Sequence, residues 1–527
     1  MADSDDANEV PVPRDIDKLQ DELARHLIGM EPSHADIIRA APAHMAFRCF
    51  AQALRGGHGQ DLHRCSYPSR RVGAFWSHSW HGSRWQKIMT LFFLYNSRAA
   101  AITSLLGVTL VAIFFGAGVL PGMENPWANY SSSRGFWVSI GGFFIYWLAM
   151  IFWQPSQRIF LDVLCIDQND QRRKALGIFN MGAFLKRSDS LLVLWDPSYT
   201  SRLWCIFELA AFLRSQSNPK LIIRPTILGP CYLLLSLALA VLVNSFGALP
   251  DVHGTYDVVL VQGCILGVGF YPIVASFREY FRSIDTLQSS LAHLSLQDTT
   301  CHCCQMNHVS SRGTPMVCDR QVVLKCICAW FGSEDNFTAV VRRDVLDCLM
   351  QQLCNEFLSY WQLITAMVPM FFAFIDAASA EWHYVGRYHH AIGRELLRGV
   401  AWWLGIAPTI LLISLRVAYF LRKRRRCDFL LNVLVLVCIL AMWLAGVRID
   451  NEYLRIHRSL GGIHKIEAMA ALAATFLPLA GLLFYFLGSH PRYRVRPKTS
   501  GCAAPSPDVH ELHTQDKDSE ADVAPPC

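Results

Sequence analysis

The sequence predicts an α-helical multi-pass membrane protein of about eight spans, with a cytosolic α/β module of parallel-sheet type inserted between the spans. Three observations predict it. Eight apolar stretches approach the roughly 20 residues needed to cross a bilayer, and a buried core helix explains one such stretch but not eight. Hydrophobic residues make up 52% of the 527 and charged residues only 17%, with a mean hydropathy of +0.25, too little charge for a water-facing surface of this size. Between the long stretches, short apolar runs of strand length alternate with segments of helical spacing.

In chain order, residues 1–70 read as a loosely ordered cytosolic lead with one weakly amphipathic helix around Ile16–Ile28. The start, Met1–Arg14, is acidic and proline-containing, so no cleaved signal peptide is expected. Segment 71–98 supplies a strand, Arg71–Trp76, and a helix, Ser83–Tyr95. A transmembrane hairpin, 99–153, follows, with spans near 101–120 and 136–153. Residues 154–225 resume the α/β pattern. Arg158–Leu164 has a strand's length, Asp167–Arg173 is a polar loop, and Lys174–Arg187 has helical spacing. Ser190–Trp195 is a continuous apolar run, as expected of a strand buried on both faces. Asp196-Pro197-Ser198 breaks the chain, Arg202–Arg214 is again helical, and Lys220–Arg224 is short enough for one more strand. The first hairpin therefore reads as an insertion into one α/β domain.

A second hairpin, 226–277, has spans near 227–247 and 257–277. Segment 278–356 is a cytosolic stretch containing Cys and His. Segment 357–488 holds four spans, near 358–379, 399–420, 429–447 and 467–487, and 489–527 is a polar, disordered cytosolic tail.

Charge gives the orientation. The 121–135 loop carries only Arg134 and the 248–256 loop has no Lys or Arg, whereas Arg172, Arg173, Lys174, Lys186, Arg187 and the run Arg422–Arg426 fall on the opposite side. This positive-inside pattern places both termini in the cytosol. None of the 18 cysteines lies in the four outer loops, so reduced thiols are expected rather than a disulfide framework. The Asn129 sequon faces outward and is expected to be glycosylated, while the sequon at Asn336 faces inward and stays bare. The net charge of +6 gathers beside apolar runs rather than along a stripe, which excludes nucleic acid as the expected partner and leaves the lipid bilayer.

Three stretches carry a resemblance: AFWSHSW (Ala74–Trp80), IFLDVLCIDQND (Ile159–Asp170) and SLLVLWDPSYTSRLWCIFEL (Ser190–Leu209). They resemble the Toll/interleukin-1 receptor (TIR) family, and the second also looks like the core of fungal heterokaryon-incompatibility domains. The resemblance covers 71–98 and 154–225. It implies a signalling or protein-interaction module with protein partners. It also implies, as an alternative, a NAD+-cleaving enzyme in which Glu208 takes the catalytic glutamate's place, because Ser201, Trp204-Cys205 and Glu208-Leu209 follow the order of that helix. NAD+ would then be the substrate, with Trp76 and Trp204 beside the carboxylate. Cleavage of the nicotinamide–ribose bond passes through an oxocarbenium-like state that a carboxylate stabilises.

Two further sites stand apart from the resemblance. Cys301, Cys304, His308 and Cys318 offer four soft ligands suited to tetrahedral zinc, although a reduced, metal-free thiol cluster fits the same spacing. A membrane transporter or channel is the competing class, since ionisable groups inside spans mark pathways. Only Asp376 and Arg416 fall within the expected spans, both near span ends.

Overall fold

The computed structural model describes residues 13–56, 61–122, 135–216, 219–248, 255–292, 295–309, 313, 315–342, 359–385, 389–459 and 465–487. Asn129 and the tail, with the expectations made for them, lie outside the described residues.

The lead is more than a loose segment. Helix α1 (Pro13–Gly29) is followed by strand β1 (Arg39–Pro42), helix α2 (Ala43–Ala51) and strand β2 (Tyr67–Pro68). Ala40 and Ala41 of β1 are fully buried, and β1 pairs antiparallel with both β2 and β4 (Arg158–Phe160). The sequence signal missed β1 because RAAP carries no β-branched or aromatic residue, so its burial is a tertiary effect.

Strand β3 (Ala74–His78) pairs parallel with β4 on one side and with β5 (Leu191–Trp195) on the other. Strand β6 (Leu221–Pro225) closes that edge, in parallel register with β5. The six strands lie in the order β2-β1-β4-β3-β5-β6. Counted along the chain, the four parallel strands are thus arranged second, first, third, fourth, the order of a doubly wound sheet of flavodoxin type. Every residue of β3 and β5 is buried, as their unbroken apolar runs require.

Helix α3 (Arg84–Gly116) leaves the sheet after β3 with Ser83 as its cap. It merges the expected sheet helix and the first span into one uninterrupted helix of 33 residues, about 50 Å long. Helix α4 (Trp137–Phe152) packs back along it and returns the chain to β4. Short helices α5 (Asp162–Cys165), α6 (Gln171–Phe179) and α7 (Met181–Lys186) connect β4 to β5, and α8 (Leu203–Ser215) connects β5 to β6. The expected single helix over 174–187 is broken at Asn180, whose buried side chain accepts from the Ser33 amide and donates to the Ser33 hydroxyl and the Leu176 carbonyl.

Helices α9 (Leu228–Ala248) and α10 (Thr255–Ala292) form the second hairpin. Gly229 meets the Thr90 backbone so closely that a Cβ would fall 2.3 Å from it, so only glycine lets α9 cross α3 there. Segment 278–356 adds α11 (His302–Gln305), α12 (Asp319–Phe331) and α13 (Glu334–Val340). Helix α12 packs against α1 and α8, so the lead, the sheet and this segment share one core. The last bundle comprises α14 (Tyr360–Ala380), α15 (His389–Val400), a π-helical turn at Ala401–Ile406, α16 (Ala407–Phe420), α17 (Asp428–Ser459) and α18 (Lys465–Leu487).

Six described helices are long and apolar enough to cross a membrane: Arg84–Gly116, Leu228–Ser245, Tyr360–His383, Ala391–Phe420, Asp428–Tyr453 and Ile466–Phe486. Exposed apolar side chains such as Ile102, Leu106, Leu110, Val437 and Leu482 coat their outer faces, the inverse of a soluble surface. Of the eight expected runs, 136–153 became a 16-residue apolar helix and 257–277 the first part of α10.

Candidate functional site

In a doubly wound sheet, ligands bind beyond the carboxyl ends of the strands where the strand order reverses. Here that edge carries Ser79–Gly82 after β3, Asp162 after β4 and Asp196–Tyr199 after β5. It is crowded with polar groups. The Lys87 ammonium is buried and bonds the carbonyls of Ser79 and Gly82, with Asp196 supplying the opposing charge. Asp196 Oδ1 accepts from the Ser198 amide and hydroxyl, and the Ser198 hydroxyl reaches Ser79 Oγ at 2.8 Å. Gly82 lies so close to Asp196 that a Cβ would meet Oδ2 at 2.1 Å. Among the described residues, His78 Nε2 and Asp196 Oδ2 are buried without a hydrogen-bond partner. Burial depresses the His78 imidazole to about 3 and keeps it neutral.

Glu208 lies one layer behind this edge. Helix α8 brings it against β3, where the Ser77 hydroxyl donates to Glu208 Oε2 at 2.5 Å and meets the buried Tyr199 hydroxyl at 2.7 Å. Burial pushes the Glu208 carboxyl up to about 8 despite the Ser77 bond, and the nearby Asp162 raises it further. At neutral pH the group is therefore mainly a protonated acid. A carboxylate expected to meet a forming cation is thus mostly uncharged at neutral pH.

A cavity of about 520 Å³ opens beside the carboxyl ends of β3 and β4. His63, Trp80, Arg84, Asp162, Asp167 and Lys174 provide its polar lining. The Trp80 indole donates to Asp162 Oδ2 at 3.2 Å, and burial raises the Asp162 carboxyl. Neither Trp76 nor Trp204 lines this space. Trp76 is 2% exposed and donates to the Tyr95 hydroxyl, which makes it a core residue. Trp204 donates to Asp319 Oδ2 at 3.1 Å and packs edge-on against Phe207. Glu208 stands apart from the cavity wall and is coupled to it through Asp162. Trp80 and Asp162 lay inside the quoted motifs, and their position at strand ends was the signal that could have singled them out.

The cysteine cluster is assembled, with one exchange. Cys303, Cys304, His308 and Cys318 bring their ligand atoms within 4.8 Å of one another. Cys301, expected as a ligand, instead forms a separate trio with Cys303 and Asp319, its Sγ 3.1 Å from Cys303 Sγ. The change is local geometry: residues 302–305 form a helical turn that turns Cys303 and Cys304 toward His308, while Cys301 precedes it in extended backbone. Burial raises the Cys304 thiol, but hydrogen bonds from Arg320, His308, Cys318 and Cys303 outweigh this and bring it down to about 7.

Inside the bundle, Asp376 accepts from the backbone amides of Phe136 and Val138 at 3.1 and 3.0 Å, so it caps the start of α4. Sequence reasoning missed a second group. Arg398 bridges Glu395 and the buried Asp450, which also accepts from the Trp402 indole, beside a cavity of about 200 Å³. Placed in outer loops by the hydropathy windows, these residues lie within helices that run on past the apolar runs.

No protein-family model, curated protein or solved structure matches the chain.

Proposed function

We propose that the chain is a multi-pass membrane signalling protein whose cytosolic TIR-like module recognises protein partners through the Asp167–Arg173 loop and the adjoining cavity. The observation that carries this reading is α3, one helix that belongs to the sheet at its start and to the membrane bundle at its end. A rigid element shared by two regions is what coupling between them requires. The second-first-third-fourth order of the parallel strands agrees with a TIR-like module. Adding α4 and the first part of α10 to the six long helices makes eight crossings, with both termini and segment 278–356 in the cytosol.

The test is proximity labelling from the full chain in cells. Arg172→Glu, on an exposed loop residue, is expected to remove the cytosolic neighbours while the membrane neighbours stay. An unchanged cytosolic set would refute the recognition role.

NAD+ hydrolysis is the second reading, favoured by the placing of Glu208 on α8 against β3, just behind the sheet's carboxyl edge, where Ser77 donates to it. In that case the purified chain turns over NAD+ and Glu208→Gln lowers turnover by orders of magnitude. Transport is a third reading, favoured by the cavity beside Arg398 and Asp450.

A further inference from the structure

We propose that Cys303, Cys304, His308 and Cys318 hold one tetrahedral zinc-class ion, and that this ion fastens the cysteine segment onto the first turn of α8. The proposal stands independently of what the TIR-like module recognises.

The distances carry the first half. Zinc with sulfur ligands at about 2.3 Å and nitrogen at about 2.0 Å makes a tetrahedron whose sulfur–sulfur edges are about 3.8 Å and sulfur–nitrogen edges about 3.5 Å. Here Cys303 to Cys304 and Cys304 to Cys318 are each 3.9 Å, and His308 Nε2 to Cys318 Sγ is 3.2 Å. At 3.1 Å, the Cys301–Cys303 separation is too short for such an edge, which leaves Cys301 outside.

The cluster has outer partners: the Asp319 amide donates to Cys303 Sγ at 3.3 Å, and Arg320 stands beside the cluster, bonding the Leu296 and Thr299 carbonyls. Three thiolates and an imidazole around a divalent cation leave one negative charge, which Arg320 opposes. Outer partners of this kind orient ligands and tune a metal site. The backbone is also held in a form that a ligand clamp explains. Asn307 and His308 both adopt left-handed conformations, with φ of 51° and 58°. Such positions cost about 1–3 kcal/mol each and persist where surrounding bonds over-determine them.

The second half follows from what touches α8. Thr300, next to the cluster, donates its amide to the Ser201 carbonyl at 2.7 Å and accepts from the Leu203 amide at 3.2 Å. Leu203 is the first residue of α8, and its amide is one of the donors that a helix start leaves unpaired. Arg202 provides no side-chain cap, so Thr300 takes that place. Asp319, which follows the ligand Cys318, accepts from Trp204 in the same turn. An ion that closes the segment between Cys303 and Cys318 therefore holds both contacts to the helix that carries Glu208.

The experiment uses the full chain, purified in detergent under reducing conditions, with zinc measured by elemental analysis. About one zinc per chain is expected, lost to background in Cys303→Ser and in the Cys304→Ser/His308→Ala double variant, and kept in Cys301→Ser. Cobalt loaded into the stripped protein should show the thiolate charge-transfer absorption of a tetrahedral site. Stripping should also speed amide exchange at Leu203 and Trp204 relative to β5. A chain that isolates metal-free and takes up neither zinc nor cobalt would overturn the proposal. So would zinc that survives in both ligand variants, which marks an adventitious ion, or unchanged exchange in α8. If Cys301→Ser lost the ion as completely as Cys303→Ser, the ligand set would be wrong.

Discussion

The sheet module and the membrane bundle handle their buried titratable groups differently. In the bundle, most buried charges are matched. Arg278 is fully buried, yet it donates to both the carboxylate and the carbonyl of Asp428, to Asn432 Oδ1 and to the Leu421 carbonyl at the end of α16. Asp376 caps a helix, and Arg398 answers Glu395 and Asp450. At the sheet's carboxyl edge His78 Nε2 and Asp196 Oδ2 are left without partners, as Asp450 Oδ1 is in the bundle, and one layer behind it Glu208 is held largely protonated. A group surrounded by low dielectric must pair or lose its charge. The bundle pairs its groups, which fixes helix positions. The edge of the sheet sets Asp196 against Lys87 but keeps His78 neutral and Glu208, one layer behind, largely protonated. That contrast locates the candidate chemistry in the sheet module and the structural electrostatics in the bundle.

The largest effect should come from breaking the bundle's pairing. Arg278 is the buried member of its pair and Asp428 keeps Arg282, so removing Arg278 costs mainly its hydrogen bonds to Leu421, Asn432 and Asp428, each worth about 1.5–3 kcal/mol for a charged donor. Arg278→Ala should therefore lower the melting temperature in detergent steeply. An unchanged melting temperature would show that the α10 to α16–α17 clamp contributes nothing. The next effect should come from titrating the sheet module. The Glu208 carboxyl rises from 4.5 unfolded to about 8 folded, so its contribution is complete below pH 4.5 and lost as pH rises toward 8. After allowance for partial exposure this is worth roughly 3 kcal/mol. His78 works in the other direction: its folded value of about 3 means stability is lost as pH falls below 6.5. Unfolding of the module should show a plateau between these limits. Glu208→Gln should flatten the alkaline limb and leave the former plateau rising with pH up to about 6.5, where His78 alone acts, and an alkaline limb that persists in this variant would remove Glu208 as its cause. The smallest effect should come from Lys186→Ala, whose exposed pair with Glu31 is worth about 0.2–1 kcal/mol. A loss of several kcal/mol there would erase the distinction drawn between buried and exposed charge.

The two regions also differ in how much of them could be read from sequence. Strands β3, β5 and β6, and helix α8, announced themselves through apolar runs and breaks such as Asp196-Pro197, because local pattern and final burial coincide there. Strand β1 did not, since two alanines acquire their burial only from partners far along the chain. The apolar windows found the bundle's runs but not their ends, because a helix continues past the apolar window wherever its polar residues find partners, as Glu395 and Asp450 do. Glu208 was legible from its motif, but its protonation was not, because that depends on burial where α8 packs against β3, with Asp162 of α5 adding to it. Cys304, His308 and Cys318 were legible from spacing. Choosing Cys303 over Cys301 needed the backbone turn between them.

Helix α3 has one more consequence. A helix advances about 1.5 Å and turns about 100° with each residue. Because α3 runs unbroken from Arg84 to Gly116, it works as a keyed shaft: its length sets the rotational phase between the sheet and the bundle. One residue inserted near Ala100 would swing the sheet's carboxyl edge by more than a quarter-turn relative to the bundle, and about seven would nearly restore the original heading. The chain between the two regions therefore acts as a gauge of fixed angle rather than a tether of adjustable length.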